Sequence, residues 1–531
     1  MESSYVRGVI TLIVHDGRLA LLAAALFSLL LWRFYTFTVA PWLHPTDPKE
    51  YPYWVPVVGH LRSFFKNSSR LVSEARLFFH GTGEPFTLTV AGQKWYVLTK
   101  AEHVAATYKM EHLSYDIFAV EVMRMIGVSE DGISKAFQTH HVAKDGSKSP
   151  PYKHLVRLCK EYQLEQLSPG NRLDQLVGRS TALMRRHLEM ESILNRGRHW
   201  YASPTGPGGD CVTVSLYQWI SDVFIDMGTQ AYFGRLLQEI EPDLIRTFMA
   251  FETLSWQAMY QYPSFLCKEM MDAKAKLQHA MEVYFYRTPK SQRADASWFI
   301  SRIEEETSRL QVAPADSAIF FFQLFWSING NTRKAPFWIF SYLLCGNQHL
   351  VDIIRTETAP AMHEDGTVDV AYLINDQTCP RLNSVWDETV RLTAFAASVR
   401  FLTHDVELGG KTLRKGNRLM MPQRQLHFNT QAFGETAAQF DPDRFWNDPS
   451  LRRNPSLRPF GGGATMCPGR NLAKQTTLAF VTKVVHDFDI SLDPPNQKFP
   501  EPAEGKPSIG LVDVQEGHDL RVRLCPRKAR Q

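Results

Sequence analysis

The sequence predicts a mainly α chain with a small β portion, preceded by one N-terminal transmembrane helix. Three observations predict it. An apolar run near the start, Leu19 to Trp32, is broken only by Ser28. Long helix-compatible stretches fill most of the remaining length, while alternating β-branched and aromatic residues are confined to short segments. One cysteine, Cys467, sits in a glycine-rich loop just before a helix-like run from Asn471 to Phe488.

Composition narrows the function. The 531 residues are 44% hydrophobic, enough for a substantial core. The net charge of +4 is small for this length, and no block of like charges stands out, so no nucleic acid partner is expected. Aromatic residues reach 12%, which suits an apolar small-molecule pocket. The seven cysteines (Cys159, Cys211, Cys267, Cys345, Cys379, Cys467 and Cys525) are odd in number and include no CxxC pair. Neither a disulfide framework nor a zinc site is expected, and a reducing environment is inferred for the main body.

The elements follow in order. Letting Arg33 snorkel extends the first apolar run to about twenty-two residues, Leu19 to Ala40, long enough for one bilayer span. A cleaved signal peptide is the competing reading. No clean small-x-small cleavage site follows and an aromatic, proline-studded segment comes next, so a retained membrane anchor over 1–40 is favoured. Arg7 and Arg18 precede the span without fixing its orientation. Pro41, Pro45, Pro48, Pro52 and Pro56 make 41–60 a stiff hinge ahead of the main body, 61–531. Phe86 to Leu98 reads as a hairpin around Ala91-Gly92. Val104 to Leu194 is helix-like, with loops near Gly127 and over His140–Pro151. Asn195 to Asp210 is a surface loop, and Val212 to Tyr286 is again helical. Trp256, Met259, Tyr260 and Tyr262 cluster there, and on sequence alone read as ordinary core. Pro314 to Cys345 reads as one long helix of about 48 Å at ~1.5 Å per residue. No acidic residue lies between Ser317 and Gln348. Pro336 leaves the carbonyl near Thr332 without its usual N–H partner. Glu388 and Arg391, three apart, share a helix face. Leu520 to Leu524 reads as a last strand.

The cysteine loop reads Arg458-Pro459-Phe460-Gly461-Gly462-Gly463-Ala464-Thr465-Met466-Cys467-Pro468-Gly469-Arg470. Its frame, Phe-x-x-Gly-x-x-x-Cys-x-Gly, resembles the heme-binding loop of the cytochrome P450 family. The resemblance extends over nearly the whole chain after the anchor. It implies the cytochrome P450 fold, heme b (iron protoporphyrin IX) as cofactor, and the Cys467 thiolate as proximal iron ligand. Phe460, Gly463, Thr465 and Gly469 are implied as cofactor-binding residues of the same loop. Thr465 stands where many members place an Arg or His for a heme propionate, so Arg400 is expected to carry more of that charge compensation. Ala397, Ser398 and Val399 are implied to line the substrate side. Glu388, Arg391 and Arg444 resemble the family's Glu-Arg-Arg triad, a structural lock for the loop. Asp443 replaces a commoner Glu beside it. Many members carry a Trp-x-x-x-Arg pair in the Val104–Leu194 region, and none occurs there; Lys153, His154 and Arg157 either substitute for it or lie on a solvated helix face.

The segment Gly330-Asn331-Thr332, followed by Pro336 and Phe337-Trp338, is similar to the subgroup containing sterol 7α-hydroxylases and prostacyclin synthase. Most family members carry an acidic residue and then threonine here, to relay protons to dioxygen. Gly330-Asn331 occupies those positions, or a one-residue shift places Asn331-Thr332 there. A third reading has Asn331 merely satisfying a broken helical turn. The implied activity is hydroxylation or epoxidation of a lipophilic sterol, terpenoid or other secondary metabolite. Electrons would come from NADPH-cytochrome P450 reductase, because the chain holds no flavin or nicotinamide segment. The alternative is a heme-thiolate isomerase or dehydratase that acts on a peroxide without reductase. A heme-binding sensor without turnover is a third class. The resemblance also implies a single-pass protein of the endoplasmic reticulum membrane with a cytosolic catalytic domain.

Overall fold

A computed structural model describes residues 17–110, 112–139, 152–196, 202–205, 210–259 and 262–527. Arg7, Tyr260, the loop expected over His140–Pro151 and most of that over Asn195–Asp210 lie outside the described residues. Two compact units form. The first holds residues up to Tyr115 together with Ser398–Pro422, and the second holds Asp116–Ala397 and the chain from Gln423 onward.

The strands, in chain order, are β1 (Lys49–Glu50), β2 (Phe86–Val90), β3 (Gln93–Val97), β4 (Leu113–Ser114), β5 (Ala202–Thr205) and β6 (Cys211–Ser215). They continue with β7 (Ala397–Leu402), β8 (Val406–Leu408), β9 (Lys411–Leu413), β10 (Arg418–Pro422), β11 (Phe488–Leu492) and β12 (Arg521–Pro526). The helices that matter below are α1 (Gly17–Phe34), α2 (Leu216–Phe233), α3 (Leu244–Met259), α4 (Pro314–Asn329), α5 (Lys334–Leu344), α6 (Pro380–Thr393) and α7 (Arg470–Asp487).

In the first unit, α1 continues through a π turn, Tyr35–Val39, and a last turn, Ala40–Leu43. The apolar helix therefore runs Leu19–Leu43, with a mean hydropathy of 1.7 and none of that window buried. It is the one helix among the described residues long and apolar enough to cross a membrane. Arg33 turns its guanidinium onto the hinge, donating to the Tyr53 carbonyl and lying 4.0 Å from the centroid of the Trp54 ring. The expected hairpin is β2–β3, in register from Phe86↔Val97 to Val90↔Gln93. Ala91 (φ 49°) and Gly92 (φ 77°) make its tight turn. These strands belong to a six-stranded sheet of order β1-β2-β3-β10-β7-β4.

The second unit is mostly helical around one apolar core that includes Trp219, Phe233, Phe322, Trp338 and Phe480. Two expectations are corrected here. Residues 211–215 are a strand rather than helix. Alternating Cys-Val-Thr-Val-Ser suits β-structure, and antiparallel pairing with β12 buries Val212 and Val214. That pairing also corrects the reading of the cysteines. Cys211 and Cys525, 314 residues apart, are brought together and form a disulfide. No short spacing could have announced it.

The long central helix is also not continuous. It stops at Asn329, and α5 resumes at Lys334. Asn331 and Thr332 are poor helix formers, and Pro336 cannot donate to the Thr332 carbonyl. Ala335 N–H takes that carbonyl instead, at 3.3 Å, in a tighter i→i+3 turn.

Candidate active site

Cys467 lies at the start of α7, whose N-cap is Gly469. Its N–H donates to the Phe460 carbonyl at 2.9 Å, and Met466 N–H donates to Gly463 O at 3.2 Å. Gly461 (φ 73°) and Gly463 (φ 58°) hold left-handed backbone, which glycine adopts without a Cβ penalty. Phe460 stacks on Trp386 of α6 at 6.5 Å between centroids. The Thr465 hydroxyl is spent locally, donating to Gly462 O at 3.3 Å. Cys467 as a residue is exposed, unlike buried Cys267 and Cys379, but its sulfur is not free of neighbours. Enough atoms crowd it that burial raises its pKa, while the backbone N–H groups of Gly469 and Arg470 and the Arg470 charge pull the other way. Backbone donors aimed at sulfur, at the positive end of an 18-residue helix, are what a metal-binding thiolate needs. The loop chemistry fits a heme-thiolate ligand.

Behind the loop, Glu388 and Arg391 on α6 are fully buried and Arg444 nearly so. Arg391 donates twice to Glu388, Nε to Oε2 at 2.8 Å and Nη2 to Oε1 at 2.7 Å. Arg444 Nε adds a third bond at 3.1 Å, and Asp441 N–H a fourth at 3.1 Å. The remaining guanidinium donors go to carbonyls: Arg391 to His427 and Ala437, Arg444 to Phe433 and Thr436. Sequence reasoning missed His427. Its Nε2 accepts Arg458 N–H at 2.9 Å, tying the triad to the first residue of the cysteine loop. Burial, and then the charge of Arg391, lower its pKa to about 3, so the ring is neutral.

Gly330, Asn331 and Thr332 sit at the break. Gly330 and Asn331 line a cavity between α3, the end of α4 and the 506–513 segment, whereas Thr332 is half-buried and does not line it. Trp256 borders the same cavity and packs edge-on to Tyr262 at 5.3 Å. Ala397 opens β7, and Ser398, Val399 and Arg400 follow on that strand in the first unit. Arg400 is buried. Its Nη1 donates to Val399 O at 2.7 Å, and its guanidinium lies 5.4 Å from the Tyr115 ring centroid. Lys153, just ahead of the helix Leu155–Leu167 that His154 caps, and Arg157 within it both pair with Glu161 at an exposed surface. That arrangement matches the solvated-face reading.

A family model described as Cytochrome P450 matches residues 208–518. Cytochrome P450 monooxygenase calL of Penicillium decumbens is 24% identical over 462 residues, spanning 81% of this chain and 84% of its own. The 7-alpha-hydroxycholest-4-en-3-one 12-alpha-hydroxylase of Oryctolagus cuniculus is 24% identical over 511 residues, spanning 90% of this chain and 93% of its own. Among solved structures, retinoic acid bound cyanobacterial CYP120A1 aligns with a TM-score of 0.64 at 17% identity. That alignment spans 91% of this chain and 99% of the cyanobacterial one, a likeness of fold.

Proposed function

The chain belongs to the cytochrome P450 family, a heme-iron oxidoreductase, and from that premise we propose a membrane-anchored monooxygenase. It hydroxylates or epoxidises a lipophilic sterol, terpenoid or other secondary metabolite with electrons from NADPH-cytochrome P450 reductase. We assign heme b as the cofactor and divide the chain into an anchor, 1–40, a hinge, 41–60, and a heme-thiolate domain, 61–531. The anchor reading is supported by the exposed apolar helix Leu19–Leu43. The single-pass, cytosol-facing placement at the endoplasmic reticulum rests on the resemblance.

One observation carries the reading: a thiol at a helix start, in a glycine turn, with backbone N–H groups on its sulfur. Bound there, the heme iron supplies oxygen activation. The residues of this chain do the rest. Cys467 is the iron ligand, and the Phe460 carbonyl, Gly463 and Gly469 fix its position. Glu388, Arg391 and Arg444 hold the loop's foundation without touching substrate. Arg400 is assigned to a heme propionate and Ala397, Ser398 and Val399 to the substrate side. Gly330, Asn331 and Thr332 are assigned to proton handling at the helix break. The test is turnover of a sterol and terpenoid panel by the full-length holoprotein with reductase and NADPH. Product that needs both supports the proposal. Product formed from a peroxide without NADPH overturns it in favour of an isomerase or dehydratase.

A further inference from the structure

The break in the central helix is ringed by charges that none of the assignments above uses. Arg333 and Lys334, where the helix resumes, are buried, at 1% and 4% exposure. Arg333 Nη2 donates to Glu252 Oε2 at 2.6 Å, and Nη1 donates to Ser221 Oγ at 2.9 Å. Lys334 Nζ lies 2.8 Å from Glu252 Oε1 and 3.3 Å from Asp513 Oδ2. The Tyr217 hydroxyl donates to the other oxygen of Asp513, and the Tyr217 ring lies 4.9 Å from the Arg333 guanidinium. Two cations and two carboxylates thus share a buried site. Such clusters add little net stability, because desolvation offsets the attraction. Burial would raise the Asp513 carboxyl, but Lys334, Arg333 and the Tyr217 hydroxyl outweigh it and hold it below the usual carboxylate range.

The cluster opens on the cavity at the break. Glu252, Lys334 and Asp513 line it with Gly330, Asn331 and half-buried Lys506. Its volume, about 40 Å³, decides what it can hold. Drug-sized ligands take roughly 300 Å³ or more. A water needs roughly 10–15 Å³ and two to four polar partners, so about three or four waters fit. Two of the three Lys334 ammonium protons face carboxylates, leaving one for such a water. On the other wall, the Asn331 amide packs so closely on Gly510 that a Cβ there would come within 2.5 Å of Oδ1.

We propose that Glu252, set by Arg333 and Lys334, supplies through the water of this cavity the carboxylate that the central helix lacks. Protons enter from the Lys506 side and leave at Asn331. The inference rests on the monooxygenase reading. In that reaction one substrate, one dioxygen, two electrons and two protons yield one oxygenated product and one water. Electrons arrive from the reductase, and this path moves protons alone, each one released at Asn331 being replaced from solvent. Glu252 acts through water and is a positioning residue.

The test uses the full-length holoprotein with carbon monoxide as the probe. In wild type, photolysing the ferrous carbon monoxide complex should shift a carboxyl infrared band. The shift should vanish in Glu252→Gln and return, displaced, in Glu252→Asp. With a turned-over substrate, Glu252→Gln should lower product per NADPH at least tenfold, divert electrons to hydrogen peroxide and change the pH profile, with Glu252→Asp restoring most of it. A band unchanged in Glu252→Gln overturns the proposal, as do wild-type coupling and pH profile in that variant. Equal losses in the Gln and Asp variants also overturn it, because they indicate a merely structural role. If Glu252→Gln does not fold, Gly510→Ala crowds Asn331 from outside the charge cluster. It should reproduce the infrared change and the loss of coupling, and unaltered behaviour overturns the proposal. Should wild type need no NADPH, the monooxygenase reading falls, and the infrared comparison still decides whether Glu252 senses the site.

Discussion

Glu388 and Glu252 are both carboxylates gripped by two basic side chains in the same unit, and they differ in what else surrounds them. Around Glu388, Arg391 bonds both oxygens, Arg444 and Asp441 N–H complete the set, and the outer guanidinium donors end on carbonyls. No gap adjoins it. Beside Glu252 the central helix is broken, a cavity with room for a few waters opens, and Arg333 Nε has no hydrogen-bond partner among the described residues. A closed network fixes geometry, which a cysteine loop needs. An open one leaves room for water and protons to move, which a break in a central helix can use.

Breaking the closed network should have the largest effect. Arg391→Ala strips Glu388 of two bonds and leaves a buried charge with one guanidinium. We expect a loss of about 3–5 kcal/mol, little heme bound and poor folding. Normal heme content and melting temperature in that variant would mean that the closed network is dispensable.

On the other side, the disulfide pins β6, which leads into Tyr217 of α2, to β12. Cys525→Ser should lower stability by about 2–4 kcal/mol in oxidising buffer and change nothing under reductant. Equal melting temperatures in both buffers for wild type would show that the bond does not form.

A pH dependence distinguishes His427. Its folded pKa, about 3, lies below the ordinary 6.5, so between those values the unfolded chain binds the extra proton. Stability therefore falls as pH drops through that window, by up to about 1.4 kcal/mol per unit. Denaturant titrations of wild type and His427→Gln should show the slope in wild type and a flatter profile in the variant. Parallel profiles would mean that the ring is not buried and neutral.

The cysteine loop and the triad were legible because their residues lie close together in sequence or carry fixed spacings. Phe460, Gly463, Cys467 and Gly469 fall within ten positions, and Glu388 and Arg391 sit one helical turn apart. The hairpin was legible from Ala91-Gly92. The disulfide, His427 and the Glu252–Asp513 cluster were not, because each depends on partners brought together by tertiary packing. One signal was available: Arg333-Lys334 within an otherwise apolar run. Two cations in a buried helix require anionic partners from elsewhere. The continuous helix expected over Pro314–Cys345 weighed the apolar pattern too heavily against Asn331, Thr332 and Pro336.

The central claim is that Cys467 binds heme iron as a thiolate, and the absorption spectrum of the reduced, carbon monoxide-bound holoprotein tests it most directly. Wild type should show the strongly red-shifted Soret band of thiolate ligation, and Cys467→Ala should lose that band. A red-shifted band that persists in Cys467→Ala, or its absence from heme-loaded wild type, would contradict the assignment.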